Sequence, residues 1–278
     1  MVISMRFAEK FTNIAVTTTY TFPLEMYEWS NDQDYSSNLL SVAGADYPYD
    51  PAGNDPWPME AAEEHVKFMI SATTNELMNT IYDTLVSTLR TIGLGKLWSN
   101  DSVNSRRWCY AKLARRPSIL VGIKAPHYPE VICDFTRMSD WFAEVATTGS
   151  QSIAASTTDF NITNAGNVAA KNIVFRLRSN SAAGWVDPTL INLTNSMQVA
   201  STRDATSMSS ELKIDTEEGS VKYSTDDGAS YTADYSLAII PAIQVGLLQL
   251  QPGVNSMRVT TVGTPNSTLE WSFYAQFA

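Results

Sequence analysis

The stretch Thr73–Trp98, TTNELMNTIYDTLVSTLRTIGLGKLW, decides how the rest of the chain is read. Leu77, Ile81, Leu85 and Leu89 recur at steps of four, and Met78, Tyr82 and Val86 form a neighbouring row, so together they make one broad apolar face of an α-helix. Thr73 and Glu76 stand at capping-box spacing, with the hydroxyl facing the N3 backbone donor and the carboxylate reaching back to the cap. Gly93 can adopt positive φ, where helices commonly stop. A helix of about 20 residues is roughly 30 Å long. Its other side, with Asn75, Asn79, Asp83, Ser87 and Arg90, stays wet. No other segment has this signature, so the chain should be a β-rich protein carrying one long helix.

Working outward, the flanks alternate with the two-residue period of strands. Upstream, residues 15–28 are rich in Val, Thr, Tyr and Phe. From His65 to Ser71, Val66, Phe68 and Ile70 share a face. Downstream, Arg107–Leu113, Ser118–Lys124 and Glu130–Thr136 alternate in the same way. The first half is therefore expected to be an α+β sheet or split barrel with one long helix. Between Ser30 and Pro58 the texture changes to turn formers broken by Tyr35, Tyr47, Tyr49 and Trp57, an arm of the kind used for binding or assembly. Glu144–Thr158 is small and polar and reads as a linker, placing a boundary between domains 1–147 and 148–278. Beyond it, short strands and turn signals recur about every ten residues, among them Asp227-Gly228 and Pro252-Gly253. That is the pattern of an all-β sandwich.

Charge is distributed unevenly along the 278 residues, whose formal net charge is −10. Residues 1–64 carry eleven acids against Arg6 and Lys10, while residues 96–124 carry Lys96, Arg106, Arg107, Lys112, Arg115, Arg116 and Lys124 against Asp101. The acidic sum argues against direct nucleic-acid binding, although Trp108 and Tyr110 interleave with the basic run as in a stacking platform. No apolar run is long enough for a membrane span, and Met1–Arg6 lacks the layout of a signal peptide. Cys109 and Cys133 are expected as buried free thiols, neighbours if their strands pair. His65 and His127 have no partner at metal spacing. Glu217-Glu218 and Asp226-Asp227 sit beside turn glycines, which makes them hairpin tips before calcium ligands or glycosidase carboxylates. Nucleophile elbows, phosphate loops and zinc-protease motifs are missing, so neither an enzyme nor a cofactor is expected.

In order and spacing, several segments resemble the distal tail protein of long-tailed, non-contractile (siphovirus-type) bacteriophages. In the first half these are Ile92-Gly93-Leu94-Gly95-Lys96-Leu97, the strand opening Arg106-Arg107, and Asp134-Phe135-Thr136-Arg137-Met138-Ser139-Asp140-Trp141-Phe142. In the second half they are Asn164-Ala165-Gly166-Asn167, Leu212-Lys213-Ile214-Asp215, Leu250-Gln251-Pro252-Gly253-Val254-Asn255 and Leu269-Glu270-Trp271. The resemblance implies a ring-forming belt domain followed by a galectin-like sandwich. It implies a structural virion protein, made in the host cytoplasm and placed at the distal end of the tail as a hexameric ring. Its partners would be the tail tube, tape measure and tip or hub proteins, with receptor-binding proteins attached outside. The Ser30–Pro58 arm is longer and more aromatic than the resemblance implies.

Head-to-tail rings use two different surfaces on each copy, and opposite charge on them sets register. The acidic and basic segments are thus either two solvated faces or surfaces that meet, within the fold or across a ring seam. The seam residues would be Arg106, Arg107, Arg115 and Arg116, with Asn75, Asn79 and Asp83 on the helix. A rival reading is a carbohydrate-binding sandwich with Trp185 as sugar contact, set against a core position for the same residue, which has no cluster of Arg, His, Asn and Glu around it. A second rival is a cell-wall hydrolase, for which the carboxylate pairs would have to be catalytic.

Overall fold

The computed structural model describes residues 6–23, 26–32, 63–101, 105–122, 125–182, 184–233, 238–241 and 246–277. Most of the Ser30–Pro58 arm, with Tyr35, Tyr47, Tyr49 and Trp57, lies outside the described residues, as do Lys124 and the side chain of His127. The chain divides into two compact units between Trp141 and Phe142.

In the first unit the strands are β1 (Arg6–Asn13), β2 (Thr19–Thr21), β3 (Met26–Asp32), β4 (Glu63–Met69), β5 (Leu94–Asp101), β6 (Ser105–Leu113), β7 (Ser118–Gly122) and β8 (Ala125–Arg137), with the helix α1 (Asn75–Ile92) between β4 and β5. They form one antiparallel path, β2-β1-β5-β6-β8-β4-β3, and β7 pairs on β8. At the far end of the path β3 comes close to β1, so the sheet curls. Its inner face carries Cys109, Phe135, Cys133, Val131, Val66 and Phe68, from the alternating sets read from the sequence, together with Phe11 and Leu97, which lie outside those sets; all are fully buried. The Phe11 and Phe135 ring centroids lie 4.9 Å apart.

α1 is amphipathic as expected, with Met78, Leu85, Leu89 and Ile92 buried. At about 1.5–3 kcal/mol per buried side chain, these four give roughly 6–12 kcal/mol towards holding it in place. Three details differ from the sequence reading. The N-cap is Thr74 and not Thr73, and its hydroxyl accepts from Leu77 N at 3.1 Å, so Glu76 falls one place short of the N3 position that a capping box with Thr74 would need. Leu77, in the first turn, is 42 % exposed, because the apolar stripe drifts off the core there. The helix ends at Gly93 as its sequence indicated, with φ 63°, but Leu97 and Trp98, the end of the stretch read with it, belong to β5. Gly95 is required by packing: a Cβ on it would lie 2.2 Å from the Thr12 carbonyl oxygen and 2.7 Å from Ile92 Cγ2.

A short strand β9 (Trp141–Ala143) carries the chain across the division. The second unit has β10 (Thr147–Ile153), β11 (Thr157–Asn164), β12 (Val174–Ser179), β13 (Thr189–Asn192), β14 (Met197–Ser201), β15 (Glu211–Asp215), β16 (Ser220–Ser224), β17 (Thr232–Ala233), β18 (Ala238–Ile239), β19 (Gly253–Thr260), β20 (Ser267–Phe273) and β21 (Gln276–Phe277). Two antiparallel sheets result, β10-β20-β12-β15-β16-β17 and β11-β19-β13-β14-β18. Phe175, Leu177, Leu212, Ile214 and Leu269 from one meet Ile162, Leu190, Val199, Met257 and Val259 from the other in a single core. The unit is thus an all-β sandwich. The small polar stretch read as a linker is in fact β10 and β11, one at the edge of each sheet. Edge strands with a wet face tolerate the Ser, Thr and Gly composition that also marks linkers.

Candidate functional site

On the face of the first unit opposite its core, register places Lys10 beside Trp98, Thr12 beside Lys96, Trp98 beside Trp108, and Lys96 beside Tyr110. Lys10 Nζ sits 4.8 Å from the Trp98 ring centroid, and Lys96 Nζ sits 4.2 Å from that of Trp108. Trp98 Nε1 donates to Thr12 Oγ1 at 3.2 Å. Lys10 and Lys96, one from the acidic and one from the basic segment, are therefore engaged by aromatic rings of their own sheet. Trp108 is buried, so it offers no open ring on which a base could stack, and the nucleic-acid platform loses its central residue.

The four arginines expected at a seam do not form one patch. Arg106, near the start of β6, pairs with Glu9 of the acidic segment within its own chain, Nε to Oε2 at 2.9 Å. Arg107 beside it is half-buried. Arg115 and Arg116 lie past the other end of β6; with a rise of about 3.3 Å per residue, the seven steps from Arg106 to Leu113 alone span about 23 Å. There they join the helix. The Arg116 guanidinium lies 5.6 Å from the Tyr82 ring centroid, and the Tyr82 hydroxyl donates to the Pro117 carbonyl. Asn75, Asn79 and Asp83 are exposed along the same helix. The structure thus sets Arg116 and Pro117 against the helix through Tyr82 and puts Arg106 and Arg107 at the other end of β6.

Sequence reasoning missed the anchor of this surface, Asp134. It stands opposite His65 in the β4–β8 register and is buried. His65 Nδ1 lies 2.6 Å from Asp134 Oδ1, and Arg115 Nε donates to Asp134 Oδ2. The backbone N–H of Ala114 donates to the Asp134 carbonyl at 2.8 Å. Burial pushes the Asp134 carboxyl up, but the hydrogen bonds from His65 and Arg115 outweigh it and hold the group below its ordinary value. With both oxygens occupied, the carboxylate is a fastener for residues 114–117 and not a proton acceptor. The alternation that placed Cys133 inward also placed Asp134 outward beside His65, and that was the available signal. The two buried thiols are not cross-strand neighbours: the β6–β8 pairing of Ala111 with Arg137 and Leu113 with Phe135 leaves Cys109 and Cys133 well out of step.

In the sandwich, Trp185 is 0 % exposed and its Nε1 donates to the Arg203 carbonyl at 3.0 Å. A ring with no free face cannot stack on a sugar, so Trp185 is a core residue and that site assignment is withdrawn. The acidic pairs are turn fittings, as expected. The Glu218 carboxylate accepts from Lys222 Nζ at 2.6 Å. The Asp226 carboxyl is held down at about 2, chiefly by hydrogen bonds from Ser224 and Ser230. Among the described residues no group of three or more His, Cys, Asp or Glu could hold a metal ion.

The outer face of the six-stranded sheet carries organised polar rows that the sequence did not announce. Ser150, Glu270, Arg176 and Lys213 are successive cross-strand partners, and so are Thr148, Ser272, Val174 and Asp215. Beside them the fully buried Glu211 accepts from Arg178 Nε at 2.9 Å and from the Tyr231 hydroxyl. Burial first, then the Glu211 bond, push the Tyr231 hydroxyl up to about 12. Over the two rows lies an open groove of about 530 Å³.

These features define a class: a curled sheet with one helix, followed by an antiparallel sandwich, with surfaces for contact as its prominent features. No protein-family model matches the chain, and no curated protein matches it. Among solved structures it is similar to the crystal structure of Dit (gp 19.1) of phage SPP1, described as a paradigm of hub adsorption apparatus in phages that infect Gram-positive bacteria. The identity is 13 %, the TM-score 0.60, and 98 % of each chain is covered. Two structures of the phage p2 baseplate in its activated conformation, with Sr and with Ca, match at 9 % identity and a TM-score of 0.47, over 99 % of this chain and 100 % of theirs. The resemblance to phage distal tail proteins read from the sequence is therefore borne out as a likeness of fold to SPP1 Dit, in both units.

Proposed function

We propose that this chain is a structural protein of a bacteriophage tail, a distal tail protein that forms a ring between the tail tube and the tip or baseplate hub. The observation that carries the reading is the whole-length fold likeness to SPP1 Dit. Under this reading residues 1–147 form the belt of a hexameric ring, and residues 148–278 form an outward, galectin-like sandwich. Its partners are further copies of itself, the tail tube, tape measure and hub proteins, and receptor-binding proteins on the outside. No cofactor and no catalytic step belong to this role.

The seam runs through Arg115, Arg116 and the exposed Asn75, Asn79 and Asp83 of α1, meeting acidic residues of the next copy. Arg106 is engaged by Glu9 of its own chain, so it belongs to the fold before the seam. Negative-stain images of the purified protein should show rings with a central hole and about six outward lobes. Light scattering at physiological salt should show Arg115→Glu with Arg116→Glu shifting the ring towards monomers. A monomer in both measurements overturns the ring reading, and an unchanged ring in the double variant overturns the charged seam alone.

A further inference from the structure

The outer face of β1, β5 and β6 carries a charge pattern that the core of the first unit does not require. Strand alternation turns Phe11, Leu97 and Cys109 inward, which leaves Lys10 on β1, Lys96 on β5 and Lys112 on β6 on the wet side. Register fixes their spacing. Lys10 stands opposite Trp98, two residues from Lys96, and Lys96 stands opposite Tyr110, two residues from Lys112. The three lysines therefore run diagonally over adjacent strands, with about 7–8 Å between neighbours.

The sheet also holds the charges in position. The Lys10 and Lys96 ammonium groups rest over the Trp98 and Trp108 rings, and Trp108 meets Tyr110 edge-on, centroid to centroid at 5.2 Å. Cation–π contact restricts where an ammonium group sits without neutralising it. Lys112 is exposed, and Leu94 opposite it is an apolar residue 43 % exposed. At the rim Glu9 lies 2.9 Å from Arg106 Nε and 3.9 Å from Lys10 Nζ, so that carboxylate is committed mainly to the arginine.

This pattern discriminates among partners. A nucleic acid needs open rings for its bases and guanidinium forks for its phosphates, but Trp108 is buried and Arg106 is engaged by Glu9. The net charge of −10 also repels a long polyanion. A neutral or basic protein surface would desolvate the ammonium groups without compensation. An extended acidic segment fits. Its alternate side chains repeat every 6.6–6.8 Å or so, about the diagonal spacing of the lysines. Leu94 then receives an apolar side chain at the end of the row.

We propose that this face docks an extended acidic segment of a partner protein, with carboxylates on alternate residues lying over Lys10, Lys96 and Lys112. The face is distinct from the Arg115–Arg116 surface and does not depend on the ring reading.

The test uses the full chain and fluorescence anisotropy with labelled peptides of about ten residues, long enough to cross three strands. One peptide alternates Asp with Thr, a second has the same composition in two blocks, and a third alternates Lys with Thr. The alternating acidic peptide should bind with a micromolar Kd at low salt, at least about fivefold tighter than the block peptide, and weaken as salt is raised. The lysine peptide should not bind. Lys112→Gln should weaken binding about two- to fivefold, the share of one exposed charge pair, and Lys10→Gln, Lys96→Gln and Lys112→Gln together should abolish it. Lys222→Gln, on the sandwich and paired with Glu218, should bind like the parent. If the triple variant opens Cys109 and Cys133 to a thiol reagent, it has unfolded, and Lys112→Gln decides alone.

The inference is overturned if the alternating acidic peptide fails to bind at about 1 mM, or if Lys112→Gln binds it unchanged. Equal binding of the block peptide, or of single-stranded DNA of the same charge, overturns it in favour of a plain charged patch. A peptide that takes rings apart overturns it too, since the face is then a seam between copies. A protein that images as a ring yet binds no acidic peptide overturns this inference and leaves the tail role standing.

Discussion

Replacing Asp134 with alanine removes the fastener between the sheet of the first unit and the Arg115–Arg116 segment, and its cost can be worked from the contacts. The His65 bond, 2.6 Å to a buried carboxylate, is charge-assisted, and such bonds contribute about 1.5–3 kcal/mol. The Arg115 partner is 71 % exposed, so its share is that of a surface pair, about 0–1 kcal/mol. Removing a buried carboxylate returns part of its desolvation cost, which leaves about 2–3 kcal/mol of destabilisation. Cys109 and Cys133 supply the assay. Both lie in the first unit and both are fully buried, so each reacts with a thiol reagent only when that unit opens. Burial and the neighbouring Asp134 charge push the Cys133 thiol up, which keeps the closed state silent. Opening-limited labelling should speed up roughly 30- to 150-fold in Asp134→Ala, at about 1.4 kcal/mol per factor of ten.

The pH dependence fixes the sign. Because the folded carboxyl lies below its ordinary value, its stabilisation is present above about pH 4, the value in the unfolded chain. It is lost as pH falls through the folded value. With a reagent active in acid, the gap between parent and Asp134→Ala should therefore be full at pH 6 and close below about pH 4. Labelling of Asp134→Ala within threefold of the parent at pH 6 would refute the reasoning, as would an Arg115→Ala effect larger than that of His65→Ala.

Two further outcomes follow from close packing. Asn255, fully buried, accepts from Gln251 N at 2.8 Å and Asn192 Nδ2 at 3.1 Å, and donates to the carbonyls of Gln251 at 2.7 Å and Gly253 at 3.2 Å. Asn255→Ala leaves several buried polar groups unmet and should cost about 3 kcal/mol or more of sandwich stability in urea unfolding. A cost under about 1 kcal/mol would mean the network is dispensable. Gly95→Ala should force β1 away from β5 and cost about 2 kcal/mol or more; a neutral result, with unchanged labelling of Cys109, would show that the Thr12 backbone yields freely.

The helix, the strands around it and the sandwich were legible because each buries one face, and burial of one face imposes a period on the sequence. Leu85 and Leu89, Val66 and Phe68, Phe175 and Leu177 all obey that period. The misreadings share a cause. Thr73 and Thr74 are chemically equivalent as caps, and only backbone geometry selects the second. Leu97 and Trp98 continue the apolar content past Gly93, but alternation takes over there because β5 must pair with both β1 and β6. The edge strands β10 and β11 bury few side chains, so nothing in Thr147–Asn164 separates a strand from a linker until the partner strands β20 and β19 are known.

Sites are less legible than folds for a related reason. Asp134, His65 and Arg115 are drawn together from three segments by a cross-strand register, and no local spacing encodes that register. The same holds for Ser150, Glu270, Arg176 and Lys213, which are scattered over more than a hundred residues and meet in one row. Trp185, flanked by Gly184 and Asp187-Pro188, could be read as a core residue or as a sugar contact; it is the core residue, fully buried with its indole N–H donating to the Arg203 carbonyl. The charge asymmetry between residues 1–64 and 96–124 was real, but the sequence could not apportion it. Glu9 with Arg106 consumes part of it inside one chain, and Asp134 holds Arg115 in place by a single exposed bond. A seam built at Arg115 and Arg116 would therefore be aimed from beneath by a buried carboxylate. Asp134→Ala should then weaken ring formation at physiological salt even at temperatures where the first unit stays closed to thiol reagents.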